Sequence, residues 1–334
     1  MIICRTPLRI SFFGGGTDFP EWFNDNPAII INASINKYTY IILRKIKKIH
    51  NYNYRLRYFN EEEAQNVNEI KHGPYREAIK KYKLDKTPLE IIYTADLPAM
   101  SGLGSSSSST TGIINACIAF KNKNISKKRL AKETINLERN LLKESVGIQD
   151  QISTSFGGFN IININKSDFI VNPYNNIKNM KILNQSCFLY YTGIQRIASK
   201  IEKIKLKLIS EKKIFNQLKN ISNIAESAKK EFLKKTISIQ NIGNLLSEQW
   251  EEKKKMHIGT SGSFLDEIYD HVIKQGAYGG KILGAGGGGF FLFICNEKDK
   301  KKIQSKLKKN NIIDFKFEFS GSQIIYNGNY SDYS

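Results

Sequence analysis

The chain has 334 residues, 40% of them hydrophobic and 25% charged, which is enough length for about two domains and enough apolar content for a core, so disorder is not the default reading. The net charge of +20, from 51 basic and 31 acidic residues, favours anionic partners such as nucleotides and phosphorylated metabolites, while many lysines, among them Lys200, Lys203, Lys205, Lys207 and Lys253 to Lys255, read as solvated helix surface. No apolar run reaches the ~20 residues of a membrane helix, Arg5, Pro7 and Arg9 interrupt any signal-like stretch, and Cys4, Cys117, Cys187 and Cys295 are too scattered for a CxxC site, so a cytoplasmic protein with no membrane contact is expected. The four histidines form no HExxH, which argues against a zinc hydrolase.

In chain order, Leu8–Phe13 reads as a strand broken by three glycines, 14–16. Ala28–Ser34 and Tyr38–Leu43 read as two further strands, 51–60 alternates like another, and 73–82 reads as a helix. Leu89–Thr94 is a strand that leads through a loop, SGLGSSSSS, into an apolar helix from Ser107 to Phe120. A helix over Lys127–Lys143, a Gly157-Gly158 break and the strand Phe159–Ile164 follow. Periodicity fades over 172–185, which sets an expected division into residues 1–175 and 176–334. The second part opens with the strand Cys187–Thr192. Ile197, Ile201, Ile204 and Leu208 then step as an amphipathic helix should, and Phe215, Leu218, Ile221, Ala225 and Ala228 continue as a second. A helix over 263–275, a glycine-dense stretch over 279–289, the strand Phe290–Cys295, a helix over 298–309 and a strand over 312–319 complete an α+β pattern with no internal repeat.

Four segments carry chemistry. In PAMSGLGSSSSSTTG, residues 98–112, a strand, a glycine-rich loop and a helix start stand in series. Glycines allow close backbone approach, and the free N–H groups and positive dipole end of a helix make an anion site. Ser101, Gly102, Leu103, Gly104, Ser105, Ser106 and Ser107 are therefore the candidate phosphate cradle, with hydroxyls that can also meet a metal ion. A Ser/Gly linker is the alternative, disfavoured by the apolar helix that follows at once. The segment is not a P-loop, because GxxxxGK[ST] occurs nowhere. GKILGAGGGGFFLF, residues 280–293, formally satisfies GxGxxG, but a strand follows it where a dinucleotide site needs a helix. It reads as a packed glycine hairpin that admits a neighbouring loop or ligand, or else as a purely structural turn. TPLRISFFGGGTDF delivers Arg9 on a strand and then Thr17 and Asp18 on a turn; a carboxylate there suits sugar hydroxyls, although Asp18 could instead cap a helix starting near Pro20. In LERNLLKESVGIQDQISTSFGG, Glu138 and Asp150 face one pocket if the chain turns at Gly147, one to hold a metal and the other to act as base. A solvated helix face for Glu138 and an N-cap for Asp150 remain open.

Taken together and in this order, the four segments resemble the GHMP kinase superfamily of galactokinases, homoserine kinases and mevalonate kinases. PxxxGLGSS (Pro98–Ser106), GAGGGG and RxxxxGGGTD (Arg9–Asp18) carry the resemblance. Within it, PLRISFFGGGTD, SVGIQDQ, YYTGIQRIASKI and GGKILGAGGGGFFLF are most similar to D-glycero-D-manno-heptose 7-phosphate kinases. Galactokinases carry Gly-Glu-His before Thr-Asp where this chain has three glycines. The resemblance implies a two-domain fold, ribosomal-protein-like and then ferredoxin-like, with the site between the halves. It implies ATP as phosphoryl donor, with Mg²⁺ on Ser106 and Glu138. Asp150 would be the base toward an anomeric hydroxyl, Arg9 would neutralise charge beside it, and Gly15, Gly16, Thr17, Asp18, Gly286 and Gly287 would line the sugar. Arg196, with Lys37 second, is the candidate for the phosphate already on the substrate. Another sugar-1-kinase of fucokinase type and a non-catalytic ATP- and sugar-binding sensor are the alternatives. A nucleic-acid partner is not expected, since no aromatic RNA-binding motif or Cys/His finger is present; a homo-oligomer is left open.

Overall fold

The computed structural model describes residues 1–195, 198–256, 259 and 262–328. The strands are β1 (Ile2–Phe13), β2 (Ala28–Lys45), β3 (Tyr54–Arg57), β4 (Glu61–Ala64), β5 (Leu89–Ala95), β6 (Phe159–Ile164), β7 (Phe169–Pro173), β8 (Cys187–Tyr191), β9 (Gly279–Ile282), β10 (Phe290–Ile294), β11 (Ile312–Ile313) and β12 (Gln323–Asn327). The helices are α1 (Pro20–Phe23), α2 (Gly73–Lys81), α3 (Ser105–Phe120), α4 (Lys127–Ile135), α5 (Gln149–Phe156), α6 (Ile177–Ser186), α7 (Ala198–Ser210), α8 (Phe215–Phe232), α9 (Ile239–Lys255), α10 (Ser263–Lys274) and α11 (Glu297–Ser305).

Two sheets organise the chain. The larger runs β12-β1-β2-β5-β3-β4, with β6 pairing β2 and β7 pairing β6; the smaller runs β11-β8-β10-β9. The two strands expected over 28–34 and 38–43 are one, because β2 bends without breaking. Its first half pairs β6 and its second half pairs β5, and both halves pair β1 across bulges that absorb the bend. The helix expected to reach Lys143 ends as an α-helix at Ile135 and continues as a π-helical turn over Asn136–Leu141. The stretch over 172–185, where the sequence periodicity fades, ends β7 and then forms α6, whose Asn176 side chain caps the Asn179 amide. Asparagine reads as loop by composition but serves here as a helix start. The strand expected over 312–319 is only two residues long before the chain leaves the small sheet.

That departure crosses the expected division at 175/176. The tail rejoins the first sheet: Phe317 bridges Ile35, Glu318 N donates to the Ser34 carbonyl at 2.9 Å, and β12 pairs antiparallel with β1. The core is likewise shared. Phe12 and Ile31 of the large sheet, Leu189 and Leu292 of the small one and Phe232 of α8 belong to one continuous apolar cluster. Burial at roughly 25 cal/mol per Å² of apolar surface is what fixes one half against the other, and the cavity between them inherits that rigidity.

Candidate active site

A cavity of about 350 Å³ opens between the halves and is lined by all four of the segments singled out above. Its floor is the glycine-rich loop. Gly104 is the N-cap of α3 in a left-handed conformation, φ 74°, with no side chain capping the helix and no carboxylate in the first turn. The leading amides of a long helix are thus left to an anion. Gly102, Gly104, Ser105, Ser106 and Ser107 reach the wall. Two members of the expected cradle do not: Ser101 is buried, with its carbonyl accepting from Phe290 N at 3.1 Å, and the Leu103 side chain is in the shared core. The glycine hairpin supports this loop from behind. A Cβ on Gly102 would stand 2.6 Å from the Leu283 carbonyl oxygen, and one on Gly289 would stand 2.3 Å from that of Ser101. Gly284 and Ala285 line the cavity; Gly286 and Gly287, expected at the sugar, are buried in the hairpin and do not.

Beside the loop, β1 presents Arg9. Its backbone N–H donates to the Leu103 carbonyl at 3.0 Å and its Nη1 to that of Gly102 at 2.6 Å. The rest of the guanidinium forks onto Asp150, Nε to Oδ1 at 2.7 Å and Nη2 to Oδ2 at 2.6 Å. Arg9 is 3% exposed and Asp150 23%, so the bidentate pair is sealed on one side and open to the cavity on the other. Asp150 does not cap α5; the N-cap is Ile148.

Glu138 is 1% exposed and lies in the π-helical turn, whose extra residue per turn re-aims a side chain inward. Its Oε2 accepts from Ser107 Oγ at 3.0 Å and from Gln151 Nε2 at 2.5 Å, while Oε1 has no partner. Burial, and then the neighbouring Glu144 carboxylate, push its pKa up to about 8 against the opposing hydrogen bonds. A buried carboxylate with an orphaned oxygen facing the phosphate cradle is an incomplete site that a hard cation would complete. The exposed Ser106 hydroxyl on the same wall is a fitting second ligand, since Ser107 is already engaged by Glu138.

The sugar-type motif forms the far wall. Gly15 and Gly16 line it, and Asp18 accepts from Gly16 N at 2.9 Å and Gln149 N at 3.2 Å. Burial raises the Asp18 pKa. Asp18 does not cap α1, whose N-cap is Phe19; its carboxylate instead takes the first amide of α5, that of Gln149. Thr17 is not on the wall, because its hydroxyl turns back to the Gly14 carbonyl at 2.8 Å. Arg196 lies outside the described residues, and Lys37 is half-buried on β2 away from the cavity.

Several wall residues escaped the sequence reading. Lys205 and Lys253, expected on solvated faces, are each 6% exposed and line the cavity with Glu202. The stepping of α7 carries Lys205 on the buried side next to Ile201 and Ile209, a signal that inspection of the helix period could have found. The mouth beside the loop is aromatic, with Tyr58, His72, Tyr75 and Tyr93. His72 lies 3.9 Å from Tyr75 between ring centroids, and burial holds its pKa down to about 4, so it is a neutral, stackable ring. No motif announces these residues; they meet only in the fold.

A cradle at a helix start, a sealed Arg–Asp pair and a cation-ready carboxylate in one cleft are the parts of a phosphoryl-transfer site. Comparison with known proteins agrees. Residues 72–158 match the GHMP kinases N terminal domain and residues 228–313 the GHMP kinases C terminal family. The chain belongs to the GHMP kinases. It is 30% identical over 330 residues to a D-glycero-alpha-D-manno-heptose 7-phosphate kinase of Campylobacter jejuni, spanning 95% of this chain and 96% of the relative. In fold it is similar to a crystal structure of a D-glycero-D-manno-heptose 1-phosphate kinase from Bacteroides thetaiotaomicron, with a TM-score of 0.79 and 24% identity over 98% of this chain and 100% of that one. A bifunctional fucokinase/GDP-fucose pyrophosphorylase of Arabidopsis thaliana is 23% identical over 93% of this chain but only 31% of the relative. This GHMP kinase is therefore an ATP-dependent kinase of the two-domain α+β type, and among the described residues no helix is long and apolar enough to cross a membrane.

Proposed function

We propose that this GHMP kinase phosphorylates the anomeric hydroxyl of D-glycero-D-manno-heptose 7-phosphate, giving the 1,7-bisphosphate in the cytoplasm. The observation that carries the transfer is the Arg9–Asp150 fork, which joins the phosphate loop, through the Gly102 carbonyl, to the base. Asp150 takes the proton of the attacking hydroxyl. The hydroxyl oxygen bonds to the γ-phosphorus as the bond from phosphorus to the β,γ-bridging oxygen breaks, and ADP leaves. Arg9 holds Asp150 in place and balances charge there, and the amides of Gly104 to Ser107 hold the phosphates. Glu138 and Ser106 are the residues that would hold Mg²⁺, which when bound neutralises phosphate charge. The aromatic mouth takes the adenine by stacking. Asp18, with the Gly15 and Gly16 backbone, receives sugar hydroxyls. The heptose phosphate itself is supported by the Campylobacter relative, and a fucokinase-like sugar-1-kinase is the second reading, favoured by the Arabidopsis one. The test is ADP release with Mg²⁺ on a panel of heptose 7-phosphate, fucose, galactose, mannose and homoserine. Turnover confined to heptose 7-phosphate supports the first reading. Turnover of an unphosphorylated sugar overturns it, and ATP binding without any turnover favours a non-catalytic sensor.

A further inference from the structure

Five carboxylates line the cavity against three Arg or Lys side chains. Most of these charges answer one another. Asp150 is forked by Arg9, and Glu202 accepts from Lys205 Nζ at 2.9 and 2.8 Å. Asp18 accepts backbone amides, and the charges that act most on Lys253 are those of Lys205, Glu202, Arg9 and Asp18. Glu138 and Glu144 stand outside this group. Glu144 comes back to Glu138 through the way the π-helical turn ends. Lys143 adopts a left-handed conformation, φ 56°, and the Glu144 amide folds back to donate to the Glu138 carbonyl at 2.9 Å, a wide version of the usual left-handed helix stop. Both residues line the cavity, and of the surrounding charges that of Glu144 acts most strongly on Glu138. Glu144 is half-buried, and among the described residues its carboxylate has no hydrogen bond or ion pair. Glu138 is 1% exposed, and its Oε1 has no partner either. Two like charges held together repel, and a triphosphate on the adjoining cradle adds to the repulsion. A divalent cation held by both carboxylates removes both costs, and oxygen ligands of this kind suit Mg²⁺ or Mn²⁺.

We propose that Glu144 is a second carboxylate ligand of the cation site, so that Glu138, Glu144 and the Ser106 hydroxyl take up a divalent cation before any nucleotide arrives. The inference rests on the metal role given to Glu138 and Ser106 above. The cation then belongs to the surface that receives the phosphates, and its uptake does not depend on the nucleotide carrying it in.

The test is Mn²⁺ binding to the nucleotide-free chain, read from the electron paramagnetic resonance signal of the free ion, with Mg²⁺ as competitor. Wild type should bind one Mn²⁺ per chain. Glu144→Gln, which keeps the shape and removes the charge, should raise the Kd at least about tenfold, and Glu138→Gln should abolish binding. Glu133→Gln, at a surface carboxylate paired with Lys81 outside the cavity, should leave the Kd unchanged. Glu144→Ser is the second variant should the amide misfold, and it should weaken Mn²⁺ at least as much. A wild type that binds no Mn²⁺ without nucleotide overturns the inference, and so does a Glu144 variant that binds as tightly as wild type or a Glu133→Gln that loses as much affinity as Glu144→Gln. If Glu138→Gln binds Mn²⁺ normally, the metal role of Glu138 falls and takes the inference with it. If Mn²⁺ binds through Glu144 but heptose 7-phosphate is not turned over, the acceptor assignment falls and the inference stands. If heptose 7-phosphate is turned over and Glu144→Gln binds Mn²⁺ as wild type does, only the inference falls.

Discussion

Replacing Glu138 by Gln separates what this residue does for the fold from what it does for catalysis. The wild-type carboxylate titrates at about 8 in the folded protein, against an ordinary value of 4.5. Between those two values the unfolded chain is ionised while the folded one still holds its proton. Stability therefore falls as pH rises through that window, by up to about 1.4 kcal/mol per pH unit, and levels off above about 8. The interval sets a ceiling of about 5 kcal/mol on the penalty, reduced by whatever water reaches the site. Glutamine carries no such charge. Its amide oxygen can keep the contacts to Ser107 and Gln151, and its Nε2 falls where Oε1 now lacks a partner, which costs part of the gain. Thermal melts without nucleotide from pH 5 to 9 should show the variant close to wild type at pH 5 and more stable by roughly 2–3 kcal/mol at pH 8. The same variant should lose turnover by two or more orders of magnitude and should no longer be stabilised by Mg²⁺ added with ATP. A melting difference that does not change with pH, or a variant that retains turnover, refutes the reasoning.

Asp150→Asn should lower kcat by about 10²- to 10⁴-fold with KM for ATP nearly unchanged, read by coupled ADP release; a fall of less than tenfold would assign the base elsewhere. Gly102→Ala places a Cβ 2.6 Å from a backbone oxygen at a φ of +82°, so the melting temperature should drop and KM for ATP should rise at least tenfold as the cradle shifts. Gly147→Ala puts a Cβ 1.9 Å from Asp18 Oδ2 and should raise KM for the acceptor but not for ATP. Chelation of divalent ions with EDTA should reduce turnover to background, and added Mg²⁺ should restore it.

The parts of the site with a backbone reason were legible in the sequence. The cradle could be read because a glycine loop before an apolar helix has few other uses, and Arg9 and Asp18 because a strand and a glycine turn fix their relative placement. Glu138 and Asp150 were legible as a pair, but not the π-helical turn that buries Glu138. A single inserted residue per turn leaves no mark on a hydrophobic period as irregular as that of Leu137, Leu141 and Leu142. Thr17, Gly286 and Gly287 belong to real motifs, yet they serve the turns that carry their neighbours rather than the cavity. Lys205 and Lys253 were misread because lysine composition in this chain is high everywhere, and only tertiary packing tells a buried ammonium from a solvated one. The aromatic mouth draws on three separate segments, 58, 72–75 and 93, so no local pattern could have assembled it.

The tail strand β12 has a bearing on how the kinase is made. β1 is made long before its outer partner β12, so until β12 emerges β1 offers an unpaired edge to any extended peptide nearby. Arg9 sits on that same strand, and its salt-bridge partner Asp150 emerges only with α5. The Arg9–Asp150 pair can therefore close before the strand that carries Arg9 has gained its outer neighbour. A chain cut before Gln323 would keep the residues of the candidate site and expose β1 as a sheet edge where β12 otherwise covers it.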